Sequence, residues 1–231
     1  MKPIDWPIAV RVAGRIAGRY PLEGTYHDAR LASQVPAMVE RASALVEAET
    51  GLRAPGQPEV AVVGRKEWVE TNVEAFSKLI APAEERLRRQ SGLGGRLSRR
   101  LLAAELGAVL GLLARRVLGQ YELVLPTGDD DHGDTVLFVG ANLLAMERAH
   151  EFRPDEFRFW VALHECTHRL QFLGVPWLRG YFMELVSELV ASAEPEAGRM
   201  ARVAAELRNS SAAGEPLVDQ TGLFGLFASP T

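Results

Sequence analysis

The stretch Pro154-Asp155-Glu156-Phe157-Arg158-Phe159-Trp160-Val161-Ala162-Leu163-His164-Glu165-Cys166-Thr167-His168-Arg169-Leu170-Gln171-Phe172 decides how this chain is read. Proline suits the first turn of a helix, and Asp155 and Glu156 face the positive end of its dipole; Gly174 and Pro176 supply the stop. One helix is therefore expected from Pro154 to Phe172. Its middle carries His164-Glu165-Cys166-Thr167-His168, an HExxH pattern. At about 3.6 residues per turn the two histidines share a face, so both imidazoles can reach one ion. Glu165, rotated by about 100°, can contact metal-bound water instead. The surrounding Phe157, Phe159, Trp160, Val161, Leu163, Leu170, Phe172 and Leu173 predict a helix buried on nearly every side. A metal would compensate the desolvation of two histidines and a carboxylate in such a place.

A catalytic zinc needs a third protein ligand and an open position. Glu188, 20 positions past His168, has the spacing of thermolysin-type zincins, and Glu184 one turn earlier is the alternative. Tyr181 shares their helix face and is a candidate donor to an oxyanion, or a packing residue. His27, His132 and His150 read as structural or solvated. Asp129, Asp130, Asp131 and Asp134 lack the spacing and closing Glu of a calcium loop, so they read as a solvated hairpin turn. Cys166 faces away from the histidines and reads as packing.

Outward from the motif, the pattern predicts an α+β fold, mostly helical, with a small sheet of about three strands beside the HExxH helix. Helices are expected at Pro7 to Arg19, Asp28 to Ala48, Glu67 to Leu79, Leu97 to Leu118, Ala141 to His150, Leu178 to Ala193 and Glu196 to Leu207, with another starting at Pro82. Strands are expected at Glu59 to Val63, Tyr121 to Leu125 and Thr135 to Val139, the last two paired and the last offering an edge to an extended peptide. Gly107 and Gly111 form a small-xxx-small pair suited to close helix packing. No repeat is visible, and Ser91 to Gly95 is the nearest thing to a linker. The organisation expected is a single domain over 1–231, in which an N-terminal helical segment (residues 1–95) and an HExxH-bearing segment (residues 96–231) form one unit.

The 231 residues are 47% hydrophobic and 24% charged, which excludes a disordered chain. One cysteine excludes an internal disulfide and a CxxC metal site, and it suggests a reducing, cytoplasmic setting. A net charge of -4 gives no general attraction to nucleic acid or to an anionic membrane. The arginines from Arg86 to Arg100 lack interleaved aromatics and read as a solvated patch. Leu101 to Ala114, the most apolar run, carries Glu105 and falls short of the roughly 20 residues needed to span a bilayer. The amino terminus lacks the pattern of a signal peptide.

Several segments together resemble the zincin-like metallopeptidase type 2 family of actinobacteria and related bacteria. They are Asp5 to Val10, Gly24-Thr25-Tyr26, Phe138 to Asn142, Phe157 to Glu165, Thr167-His168, Gln171-Phe172 and Val175 to Arg179. The resemblance implies a zinc site with His164 and His168 as ligands and Glu165 as catalytic acid and base. It implies no substrate, and the deazaflavin-coenzyme names of some members are not carried over as an activity. Two departures bear on the third ligand. Ser187 precedes Glu188 where the thermolysin-like consensus has Asn, and similar proteins continue past Leu226 to Pro230 into a helix bearing Glu-Gly-His. The third ligand thus stands open between Glu188, Glu184 and a group missing from this chain. The expected function is a zinc-dependent hydrolase, a metallopeptidase cutting a peptide or small amide; the alternative is a binding or scaffold protein that keeps the HExxH helix for structure.

Overall fold

A computed structural model describes residues 4–81, 95–122 and 134–192. In chain order these form α1 (Trp6–Ala17), α2 (Tyr26–Thr50), β1 (Glu59–Val63), α3 (Arg65–Leu79), α4 (Gly95–Leu113), β2 (Gly119–Glu122), β3 (Thr135–Val139), α5 (Gly140–His150), α6 (Pro154–Gly174) and α7 (Leu178–Ser192). The fold is α+β and helix-dominated, as expected. Glu196 to Leu207, the helix starting at Pro82, and His132 with Asp129 to Asp131 lie outside the described residues.

The contacts gather into two compact units, each drawn from separated stretches of chain. In the first, α1 lies on α4. Their backbones meet because Gly107 and Gly111 have no side chains: a Cβ at Gly107 would collide with the Ala9 carbonyl. One at Gly111 would stand 2.7 Å from the Ala13 oxygen and 2.8 Å from Ile16 Cβ. The small-residue pair therefore works in close helix packing. The described stretch of α7 from Glu184 onward belongs to this unit.

The second unit, Gly18–Trp68 with Arg115–Met183, holds the sheet and the HExxH helix. Leu31, Val35, Val39, Ala42 and Val46 of α2 pack against Val161, Ala162, Cys166 and Leu170 of α6, joined by Val136 and Phe138 of β3 and Leu143 of α5. Each Leu, Val or Phe side chain among them, removed from water, contributes about 1.5–3 kcal/mol, and each Ala less. The sheet order is β1-β3-β2. β1 runs parallel to β3, pairing Glu59 with Thr135 and Val63 with Val139, and β2 runs antiparallel to it, pairing Gly119 with Phe138. β3 is thus central, with both edges taken, so it cannot offer the free edge expected of it.

The helix expected to reach Leu118 ends at Leu113. Beyond it the Val117 carbonyl accepts from Asn142 Nδ2 at 2.6 Å and the Leu118 carbonyl from the Val139 N–H at 2.9 Å. These tertiary bonds draw the backbone out of the helix and start β2 at Gly119, two residues earlier than the apolar pattern suggests.

Candidate metal centre

α6 begins with Pro154 in its first turn and Asp155 and Glu156 beside it, and the motif falls in its middle. Only one face is buried. Val161, Ala162, Cys166 and Leu170 turn inward, while Trp160 is 58% exposed and His164 also faces solvent. The expectation of a helix covered all round is not met: among the described residues α2 covers one side of α6, and His164 is exposed with His168 half-buried.

On that open side His164 and His168 come together, their Nε2 atoms 3.2 Å apart and their rings at 89°. Two nitrogens each about 2.0–2.1 Å from one tetrahedral zinc stand roughly 3.3–3.4 Å apart, so the spacing fits a shared ion. Partial burial, and then the neighbouring His168, lower the pKa of His164, which favours the neutral, ligating imidazole.

Glu165 turns the other way and is buried. Val139 donates to Leu118 across the strand pair, which sets the alternation so that Gly119 and Tyr121 point their backbone groups away from β3. The outward Tyr121 N–H donates to Glu165 Oε2 at 3.0 Å. Gly119 makes the approach possible: a Cβ there would stand 2.7 Å from Glu165 Cγ and 2.8 Å from Oε1. Burial pushes the Glu165 carboxyl up to about 7, and the Tyr121 hydrogen bond offsets this only in part. A carboxyl of that value can both take and return a proton near neutral pH. Nothing in the local sequence of β2 marks Gly119 as its partner; only the tertiary fold does.

The raised value carries a stability prediction. The folded chain holds this proton more tightly than the unfolded chain, so the benefit is full below about 4.5 and is lost as pH rises through about 7. In chelator-treated protein, Glu165→Gln should match the wild type in urea unfolding at pH 4 and exceed it at pH 8, by on the order of 2 kcal/mol. An equal difference at both pH values would contradict the assignment.

Tyr181 is 53% exposed, with its ring edge-on to Trp177 at 6.1 Å. Glu184 and Glu188 are exposed on α7 and are grouped with the first unit. Among the described residues no cluster of three or more His, Cys, Asp or Glu side chains is gathered as a metal cage. Cys166 is buried, accepting from Ser43 Oγ at 3.4 Å, and burial raises its thiol pKa, in keeping with a packing role.

Asp134, expected in a solvated turn, is paired instead. Its backbone carbonyl accepts from the Glu59 N–H at 2.8 Å as β1 joins β3. That pairing brings its carboxylate to Arg169, whose Nε lies 2.7 Å from Oδ1 and whose Nη2 also donates to Oδ2. The same guanidinium reaches the carbonyls of Pro55 and Gly56, at 3.2 and 3.0 Å. A second buried arginine on α6, Arg158, grips both oxygens of Glu147 at 2.6 and 2.8 Å. These arginines fix the helix that carries the motif, and no local sequence signal pairs either with its partner.

Over residues 4–230 the chain matches the family described as zincin-like metallopeptidase. The crystal structure of a candidate hydrolase with a novel fold from Chloroflexus aurantiacus is similar to it, with a TM-score of 0.67 and 30% sequence identity. The match covers 94% of this chain and 73% of that one. No curated protein gives a significant match.

Proposed function

We propose, from the fact that the chain belongs to the zincin-like metallopeptidase family, that it is a metal-dependent hydrolase, and specifically a zinc peptidase acting on a peptide or other small amide. The observation that carries this reading is the convergence of His164 and His168 Nε2 at 3.2 Å, with Glu165 held one residue away against β2. The likeness to the candidate hydrolase from Chloroflexus supports the reaction class.

His164 and His168 would hold the zinc through Nε2, with the third ligand open between Glu188, Glu184 and a further group, since no third His, Cys, Asp or Glu is gathered beside the pair among the described residues. When bound, zinc supplies Lewis acidity, polarising the scissile carbonyl and making a water easier to deprotonate. Glu165 takes the proton from the attacking water on its carboxylate and returns it to the leaving nitrogen. The Tyr121 N–H keeps one carboxylate oxygen oriented, and the exchange would use the other. Tyr181, exposed on α7, would donate its hydroxyl to the developing oxyanion.

Metal analysis tests the centre. Wild-type protein should hold close to one equivalent of zinc and His164→Ala should lose it, and the affinities of Glu188→Ala and Glu184→Ala tell which carboxylate, if either, is the third ligand. Full zinc in His164→Ala would remove the site.

A further inference from the structure

We propose that Trp160, backed by Phe157 and Phe152, is the specificity shelf of this centre, and that the preferred substrate carries a bulky aromatic or branched apolar side chain next to the bond that is cut. The inference rests on the hydrolase reading above and adds the substrate class to it.

A row of ring contacts runs along the open side of α6 and ends at the metal-binding pair. Phe152 meets Phe157 at 4.9 Å, Phe157 stacks on Trp160 at 6.5 Å, and Trp160 stacks on His164 at 5.9 Å, measured between ring centroids. These separations lie in the range of favourable aromatic pairs. Trp160 and Phe152 are nevertheless 58% and 43% exposed. The helix does not need them for its own packing, because Val161, Ala162, Cys166 and Leu170 already fill its inner face. Two large apolar rings left open beside a polar centre, joined by the half-buried Phe157, match the usual composition of a ligand site, with apolar walls and a few polar groups that fix orientation.

Position names the occupant. The Trp160 ring is one helical turn from His164, and a substrate chain advances at most about 3.6 Å per residue. A side chain resting on Trp160 therefore belongs to a residue adjoining the reacting carbonyl. A protein partner covering a ring 5.9 Å from a ligating imidazole would also seal the centre, so the shelf belongs to the substrate. Beyond the rings, Arg153 and Glu156 pair with each other at 2.8 Å at the solvent-exposed start of the helix. Their charges are matched, and the His150 imidazole stacks on Phe152 at 5.3 Å, so polar character enters only at the end of the row away from Trp160.

The test uses the zinc-loaded full chain and two probes that share a zinc-binding head, phenylalanine hydroxamate and glycine hydroxamate, titrated by calorimetry. The wild type should bind the phenylalanine compound about tenfold more tightly. Trp160→Ala should abolish that preference while leaving zinc content and glycine-hydroxamate affinity unchanged, and Trp160→Phe should keep most of it. Equal affinities in the wild type, or a preference that survives Trp160→Ala, would overturn the shelf while leaving the hydrolase reading intact. Failure of the wild type to take up zinc would overturn both, and the metal assay tells the two failures apart.

Discussion

Glu165→Gln is expected to keep a full equivalent of zinc and to lose turnover by about 10²–10⁴-fold, the usual contribution of a positioned general acid and base. The substitution is nearly isosteric, and a glutamine oxygen can still accept the Tyr121 N–H that now reaches Glu165 at 3.0 Å. The side chain therefore stays in place, and the two imidazoles, on another face of the helix, are untouched. What disappears is the ability to hold a proton and return it. Cleavage of a mixed peptide library, read by mass spectrometry beside metal analysis of the same samples, checks both halves. Undiminished cleavage would refute Glu165 as the base, and zinc loss would mean that the carboxylate serves the metal directly.

The largest stability effect is expected at Arg169→Met, about 3 kcal/mol, the low end of the cost of breaking a buried ion pair from one side, because the Asp134 side chain is 26% exposed. Arg169 is 1% exposed and satisfies three groups from separate stretches of the chain: the Asp134 carboxylate and the carbonyls of Pro55 and Gly56. Methionine fills much of the volume but leaves all three without a donor. Arg169→Lys should recover little, since one ammonium cannot reproduce the planar fork that serves both sides at once. Adding Asp134→Leu to Arg169→Met should restore some of the loss by removing the stranded charge. Urea unfolding of the four proteins measures each value, and a loss under 1 kcal/mol in Arg169→Met would show that the pair contributes little.

The motif helix and two of the strands were legible because their signals are local. Pro154, the acidic first turn, and the His164 and His168 spacing need only the helical period, and Glu59 to Val63 and Thr135 to Val139 are short β-branched runs whose limits the structure reproduces. The rest depends on residues far apart in the chain. The central place of β3 follows from parallel pairing with β1, which no nearby residue announces. Asp134 resembles its acidic neighbours until Arg169 is brought to it by the fold. Trp160 counts as apolar in any periodic reading, and only the packing of α2 decides which apolar residues of α6 are covered. The candidate site was legible as two histidines and an acid spaced on one helix, whereas the contact of that acid with β2, whose Tyr121 the sequence already placed in a strand, was not.

The grip on Glu165 comes from main chain, and this changes what an alanine scan of β2 would reveal. Truncating Gln120, Tyr121 or Glu122 leaves every amide of the strand in place, so any loss the scan reports reflects other contacts, such as the Trp68 indole donating to Gln120 or the Tyr121 ring on Phe172, and not the hold on Glu165. The sensitive position is Gly119, where the informative change adds a methyl group instead of removing atoms. Surveys that look only for lost side chains would overlook the one residue of the strand whose emptiness matters.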